Sequence, residues 1–218
     1  MMLTAHSGCD KTAPNSREYL LYALQSGADA VEVDVRRQGE TLVLSHDAPM
    51  AEPLTLREAF SLLPPEKQIN CDLKTAGLEE AVYCLAKEYG LENRLIFTGE
   101  VDPRLFTGEN IPFPEVRWFA NINNIEPGLE QRIDTMPPED ARKALLDVLQ
   151  QLTGLRTAGV NWHYSHAQRV WQEARALGLG ISIWTVDDEK DLRHFLALKP
   201  DNLTTNCVKF ACSLKDRI

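Results

Sequence analysis

Ala30-Val31-Glu32-Val33-Asp34-Val35 alternates between apolar and acidic residues, which is the period of a β-strand. In a strand the valines share one face, while Glu32 and Asp34 share the other. The valine face suits packing under helices. Two like charges so close together cost free energy unless a cation or buried hydrogen-bond donors compensate them. The stretch therefore predicts a buried strand that carries a divalent metal site.

Strands and helices alternate along the rest of the chain. Strand patterns occur at residues 3–7, 30–36, 41–45, 68–74, 95–98, 116–122, 159–164, 181–186 and 202–205. Helical patterns occur at residues 16–26, 55–63, 78–89, 138–152, 166–177, 189–198 and 208–214. Such alternation predicts a parallel sheet. About eight units predict a TIM (β/α)8 barrel formed by residues 1–218 as one domain, lean against the usual length of about 250 residues.

A doubly wound open sheet is the alternative architecture. It is the weaker one, because no Gly-rich phosphate loop follows the first predicted strand.

The overall composition excludes several functional classes. The net charge of −9 argues against nucleic acid as a partner, because a phosphate backbone needs a basic surface. The five cysteines are scattered without a C-x-x-C pair, which is typical of reduced thiols in a cytoplasmic protein. No leader is apparent, and no apolar run approaches membrane-spanning length, so stable membrane insertion is not expected. The oligomeric state is not indicated.

Polar residues collect where the predicted strands end. His6 follows the first strand, and His46 follows the short strand at residues 41–45. Asp72 and Lys74 alternate inward on the strand at residues 68–74, and Trp184 lies near the end of a later strand. Because the carboxyl ends of parallel barrel strands meet at one mouth, we expect these side chains to surround a single site.

The chemistry of this set points to phosphoryl transfer. Three carboxylates, from Glu32, Asp34 and Asp72, favour Mg²⁺ or Ca²⁺ over zinc, with Mn²⁺ as a further candidate. Of the two imidazoles, one can take a proton from the nucleophile and the other can protonate the leaving oxygen. A cation and a lysine can neutralise charge that grows on the phosphate.

The same residues resemble the glycerophosphodiester phosphodiesterases in order and spacing, over nearly the whole chain. The matching motifs are His6-Ser7-Gly8, Glu32-Val33-Asp34, His46-Asp47, Asp72-Leu73-Lys74 and Trp184-Thr185-Val186. The resemblance implies a TIM barrel, one divalent cation and hydrolysis of a small-molecule glycerophosphodiester to glycerol phosphate and an alcohol. It makes His6 and His46 the acid–base pair and Glu32, Asp34 and Asp72 the metal ligands. It places Lys74 against the phosphate and Trp184 against glycerol.

The chain departs from the family pattern in its substrate-recognition parts. Ser7 stands where the family usually has arginine, and Asp72 stands where it usually has glutamate. The Pro-Glu-Asn segment is reduced to Pro14-Asn15, and the insertion after the second strand is minimal. These departures keep two alternatives open: a lysophospholipase D-like lipid phosphodiesterase, and a non-catalytic phosphoester-binding barrel.

Overall fold

The computed structural model describes residues 1–48 and 52–215. Its strands form one sheet. They are β1 (Met2–Ala5), β2 (Ala30–Gln38), β3 (Thr41–Leu44), β4 (Gln68–Leu73), β5 (Leu95–Gly99), β6 (Arg117–Asn121), β7 (Gly159–His163), β8 (Gly180–Trp184) and β9 (Asn202–Thr205).

Eight of these strands close into a parallel ring in the order β1-β2-β4-β5-β6-β7-β8-β9. The ring closes because β1 pairs with both β2 and β9. Strand β3 lies outside the ring as an antiparallel hairpin on the extended end of β2. The predicted TIM barrel is therefore confirmed, and the open-sheet alternative is wrong.

Helices follow most ring strands. They are α1 (Arg17–Gln25), α2 (Leu56–Leu62), α3 (Glu79–Glu88), α4 (Ile122–Ile125), α5 (Leu129–Arg132), α6 (Pro138–Leu152), α7 (Tyr164–Ala167), α8 (Trp171–Ala176), α9 (Glu189–Leu198) and α10 (Val208–Lys215). Single 3₁₀ turns occur at Cys9–Lys11, Glu92–Arg94, Pro103–Phe106 and Ile133–Thr135. Within the described residues, no helix combines the length and the apolar character needed to cross a bilayer.

The connection after β7 differs from the sequence expectation. The helix expected over residues 166–177 is two helices, because Val170 leaves the helical region at φ −142° and ψ 27° while its side chain is fully buried. The link from β5 to β6 contains only the 3₁₀ turn Pro103–Phe106. The short segment after the second ring strand includes residues 49–51, which lie outside the described residues.

The barrel interior has three levels. Met2, Ala30, Ile96 and Phe119 form a small apolar plug at the amino ends of the strands. Above it lies a row of amides and hydroxyls, here called the polar tier, all buried except the half-buried Asn121: Thr4, Asn202, Ser182, Asn161 and Asn121. The carboxylates lie in the third level, at the carboxyl ends of the strands, while the alternate valines of β2 pack outward in the main core.

The polar tier is joined by hydrogen bonds that all run in one direction around the ring. Thr4 donates to Asn202 at 2.6 Å, and Asn202 donates to Ser182 at 2.9 Å. Ser182 then donates to Asn161 at 2.7 Å, and Asn161 donates to Asn121 at 2.8 Å. Because each buried polar group meets a partner on the next strand, the tier avoids the cost of unpaired burial.

Candidate active site

A cavity of about 350 Å³ opens at the carboxyl ends of the ring strands. Six of the seven residues predicted for the site line it: His6, Glu32, His46, Asp72, Lys74 and Trp184. The seventh, Asp34, is buried at the edge of this cavity beside Asp72, its register partner on β4. The ring strands and the loop after β3 thus bring the predicted set together.

Glu32, Asp34 and Asp72 each offer a carboxylate oxygen, and these oxygens lie within 4.8 Å of one another. Glu32 and Asp34 share the inner face of β2, and Asp72 faces them from the neighbouring strand β4. Three hard oxygen donors on rigid strands suit a hard divalent cation. This group is the candidate metal site.

Lys74 lies against two of these carboxylates. Its Nζ is 2.6 Å from Asp72 Oδ2 and 2.9 Å from Asp34 Oδ1. Burial acts to lower the pKa of Lys74, but the two carboxylates outweigh it and the pKa is raised. Three carboxylates and one ammonium leave a net charge of −2 in a buried place. A divalent cation balances that charge, so the residues present fit one.

The pKa of Glu32 reflects its burial beside the other carboxylates. Burial, with further contributions from Asp34 and Asp72, raises the pKa of Glu32 to about 7 against the opposing effect of His6. Asp34 responds differently: burial acts to raise its pKa, but Lys74 and the amide of Asn15 lower it overall. Burial also raises the pKa of Asp72, against the opposing effect of Lys74, so without a cation ionisation is disfavoured at both Glu32 and Asp72.

Cation binding is expected to release a proton from Glu32. The pKa of Glu32 is higher in the folded protein than its ordinary value of 4.5, so protonation of Glu32 favours the folded state. This contribution to stability is complete below pH 4.5 and is lost as the pH rises through about 7. Because a ligating carboxylate must be ionised, binding near pH 6 should release about one proton more than binding near pH 8.5. Calorimetry in buffers of different ionisation enthalpy measures this difference. Equal release at both pH values, or an unchanged release in Glu32→Gln, would contradict it.

His6 is held in a defined orientation. Its Nδ1 lies 3.0 Å from both the Ser7 carbonyl and Asn206 Oδ1. The Asn206 amide group donates to Asp187 Oδ2 at 2.8 Å, which fixes its oxygen toward His6. Since both neighbours of Nδ1 are acceptors, a neutral His6 carries its proton there and presents Nε2, 3.9 Å from Glu32, to the cavity.

His46 approaches the same cavity from the loop after β3. Its side chain is 66% exposed, and its Nδ1 lies 3.1 Å from Asp47 Oδ1. Arg36 anchors the loop by donating from Nε and Nη2 to the His46 carbonyl at 2.9 and 2.8 Å. The backbone of His46 is thus fixed while its ring stays accessible to a ligand.

Asn15 is a supporting residue that strand alternation does not predict. It is buried at φ +55°, donates from Nδ2 to Asp34 Oδ2 at 2.7 Å and accepts the Asp34 N–H at 3.0 Å. Ser7 joins this support, because its N–H donates to Glu32 at 2.9 Å and its hydroxyl accepts the Asn15 N–H at 3.1 Å. These contacts orient two carboxylates of the candidate metal site.

Trp184 lies at the cavity wall with its ring 5.7 Å from that of His163, edge to face. His163 in turn lies 5.8 Å from His166, whose buried ring is 3.3 Å from Asp134. Asp134 is far from both histidines along the chain, which hides the contact from sequence patterns.

The ring of eight parallel strands, with polar and acidic side chains at its carboxyl end, defines a TIM barrel with its candidate site at the usual mouth. Solved structures with this architecture include a glycerophosphodiester phosphodiesterase from Agrobacterium tumefaciens strain C58. It is 16% identical, with a TM-score of 0.69 over 99% of each chain. A phosphodiesterase from Oleispira antarctica, solved with the product sn-glycerol-3-phosphate, is 19% identical, with a TM-score of 0.68 over 99% of this chain and 97% of that one.

A phosphoribosyl anthranilate isomerase from Thermococcus kodakaraensis also matches, at 12% identity and a TM-score of 0.56 over 99% of this chain and 97% of that one. No family model matches the sequence, and a comparison with curated proteins finds no match either. The predicted resemblance to glycerophosphodiester phosphodiesterases is confirmed among the structural neighbours. At these identities the likeness is one of fold, and the chemistry has to be argued from the site.

Proposed function

We propose that the protein hydrolyses a small glycerophosphodiester to glycerol phosphate and an alcohol, with the help of one divalent cation. The observation that carries the proposal is the convergence of Glu32, Asp34 and Asp72 within 4.8 Å, beside a cavity lined by two histidines and a lysine. Such a set suits a reaction in which negative charge grows on a phosphate. The product complex of the Oleispira antarctica neighbour supports a small-molecule substrate.

The three carboxylates would hold the cation, with Mg²⁺, Ca²⁺ and Mn²⁺ as the candidates. When bound, the ion supplies positive charge for the phosphate oxygens. Lys74 adds a second positive group: of its three N–H donors, two are used by Asp34 and Asp72, and the third is free to bind a phosphate oxygen. Trp184 provides an aromatic wall for the glycerol moiety.

The two histidines would move the protons. His6 presents an unprotonated Nε2 when neutral, so it can accept the proton of the attacking hydroxyl, whether that of water or of glycerol. His46, with its Nδ1 oriented by Asp47, would protonate the oxygen of the leaving alcohol. In this scheme Asn206 and Asp187 position His6 and do not touch the substrate.

The part of the mouth that the structure describes does not favour the lipid-directed alternative. Among the described residues, the exposed large apolar side chains are Met1, Leu21, Leu177 and Leu198. Met1 precedes β1, while Leu177 and Leu198 lie at the ends of α8 and α9, so all three belong to the opposite end of the barrel. Leu21 lies within α1. A lysolipid would find no apolar rim beside the described cavity residues.

The proposal is tested by assaying glycerophosphodiesters and lysophospholipids with Mg²⁺, Ca²⁺ or Mn²⁺. We expect release of glycerol phosphate that stops on chelation and returns when the cation is restored. Faster turnover of lysophospholipids would favour the lipid-directed enzyme. Cation-dependent binding of phosphodiesters without turnover would identify a non-catalytic barrel.

A further inference from the structure

The connection from β1 to α1 contains a loop at residues 8–15, here called the β1–α1 loop, whose backbone is unusual. Asp10 lies in the left-handed region at φ 48° and ψ 37°, and Lys11 follows it there at φ 70°. Gly8 and Asn15, at the two ends of the loop, also have positive φ. Residues with a side chain rarely adopt this conformation, and two in succession need surrounding contacts to hold them. The β1–α1 loop therefore depends on anchors elsewhere in the fold.

The β1–α1 loop contacts both halves of the candidate active site. At its end, Asn15 shares two hydrogen bonds with Asp34 of the candidate metal site. At its centre, the N–H of Asp10 donates to the carbonyl of Asn206 at 2.7 Å. Because Asn206 Oδ1 lies 3.0 Å from Nδ1 of His6, the centre of the loop is connected to the histidine that presents Nε2 to the cavity.

Asn206 is held from two sides. Asp187 accepts the Asn206 N–H at 2.7 Å and its side-chain amide group at 2.8 Å. From the other side, the N–H of Asp10 binds the Asn206 carbonyl. Together these contacts fix the backbone and the side chain of Asn206, so a displacement of Asp10 would release one of the two sides.

The carboxylate of Asp10 anchors the centre of the loop. Its Oδ2 accepts a hydrogen bond from the Tyr22 hydroxyl at 2.9 Å and another from the Lys209 N–H at 3.0 Å. Tyr22 belongs to α1, and Lys209 lies in the first turn of α10, where the helix dipole favours a negative charge. Burial and the hydrogen bond to Asp10 raise the pKa of Tyr22 to about 12, so the hydroxyl stays a donor near neutral pH. One carboxylate thus joins the loop to two helices.

We propose that Asp10 is a positioning residue of the candidate active site. Its carboxylate holds the centre of the β1–α1 loop against α1 and α10, and its N–H fixes Asn206. Asn206 in turn orients His6, so that Nε2 of the neutral ring can accept a proton. Asp10 acts through these contacts and touches neither the substrate nor the cation. The effect on catalysis rests on the proposed function, whereas the orientation of His6 does not.

Kinetics of substituted proteins provide the first test. Asp10→Gly permits the left-handed backbone but removes both side-chain hydrogen bonds, so kcat should fall by roughly 10- to 100-fold while KM and cation affinity stay nearly unchanged. Asp10→Asn keeps an acceptor oxygen and tolerates the left-handed region, so it should retain most of the wild-type kcat. Tyr22→Phe removes only one of the two hydrogen bonds and should lower kcat less than Asp10→Gly does. The matched control is Tyr83→Phe, which removes a 2.8 Å hydrogen bond from α3 to Glu115 and should leave kcat unchanged.

Imidazole ¹⁵N NMR of the full chain with Mg²⁺, without substrate, measures the orientation of His6 independently of turnover. At about pH 8.5, above the ordinary pKa of histidine, neutral His6 should carry its proton on Nδ1 in the wild type and in Asp10→Asn. Asp10→Gly, and to a lesser degree Tyr22→Phe, should show a mixture of both tautomers. The signals of His6 are those that disappear in His6→Gln.

An unchanged His6 tautomer in Asp10→Gly would overturn the proposal, whatever the kinetics, because Asp10 would then not orient His6. If the wild type hydrolyses a diester, a wild-type kcat in Asp10→Gly would overturn it too. If no diester is hydrolysed, the proposed function fails, but a tautomer change in Asp10→Gly that is absent from Asp10→Asn and Tyr83→Phe would still support the role of Asp10. Should Asp10→Gly not fold, Tyr22→Phe decides by the same two measurements.

Discussion

Replacing Glu32 with glutamine is expected to weaken divalent-cation binding by at least about 100-fold and to abolish cation-dependent turnover. Glutamine keeps the size of the side chain and an oxygen that accepts the Ser7 N–H. It removes one of three charges that converge within 4.8 Å. Isothermal titration calorimetry with Mg²⁺, Ca²⁺ and Mn²⁺ measures the affinity, and glycerol phosphate release measures turnover.

The stability of the metal-free Glu32→Gln protein shows whether Glu32 is a metal ligand or a structural residue. Burial disfavours ionised Glu32, so near pH 8 the metal-free Glu32→Gln protein should have a free energy of unfolding at least equal to that of the wild type. The matched control is Glu79→Gln, because Glu79 is also buried but binds the Asp102 N–H at 2.8 Å outside the site. It should lose about 1 kcal/mol of stability and keep its cation affinity. A destabilised Glu32→Gln with unchanged cation affinity would refute the metal site.

Replacing His46 with alanine is expected to lower kcat by about 10²- to 10⁴-fold while leaving cation affinity nearly unchanged. The ring is largely exposed, and the loop is anchored by Arg36 through the His46 carbonyl, which alanine retains. The loss should therefore reflect proton transfer rather than a disturbed fold. Turnover and calorimetric cation binding are measured on the same preparation.

Two comparisons sharpen the His46 result. His194→Ala removes an exposed imidazole from α9, on the outside of the barrel, and should leave turnover unchanged. A diester with a 4-nitrophenol leaving group needs no protonation of the departing oxygen, so His46→Ala should lose much less activity on that substrate. If activity on glycerophosphodiesters persists at the wild-type level, the assignment of the acid–base pair is wrong.

Strand alternation alone was sufficient to place the main charged residues of the site. Because side chains alternate strictly along a strand, the pattern around Glu32 and Asp34 predicted their shared face, and the same rule applied to Asp72 and Lys74. Long helices were equally clear: the predicted bounds 138–152 and 189–198 are those of α6 and α9. In these segments local pattern and tertiary environment agree.

Features that depend on distant partners could not be read from local patterns. Asn15 supports Asp34 from a loop, and Glu130 reaches the cavity from the four-residue helix α5, which is too short to show a helical period. The acidic run Asp187-Asp188-Glu189 lies at the start of α9 and also contacts a distant part of the chain. Asp188 does cap α9, but Asp187 also orients Asn206 and through it His6. By contrast, the inward positions of Ser182 and Asn202 obey the alternation rule and could have been predicted from it.

The polar tier limits how the cavity floor can be altered. Four hydrogen bonds run in the same direction from Thr4 to Asn121, so truncating one of the three middle side chains leaves a donor unpaired on one strand and an acceptor unpaired on another. Deepening the cavity for a larger ligand would consequently require adjacent members of the polar tier to be replaced together. Homologous proteins that differ at these positions should therefore differ at two neighbouring members of the polar tier together. Libraries of single substitutions at these positions should contain mostly destabilised proteins.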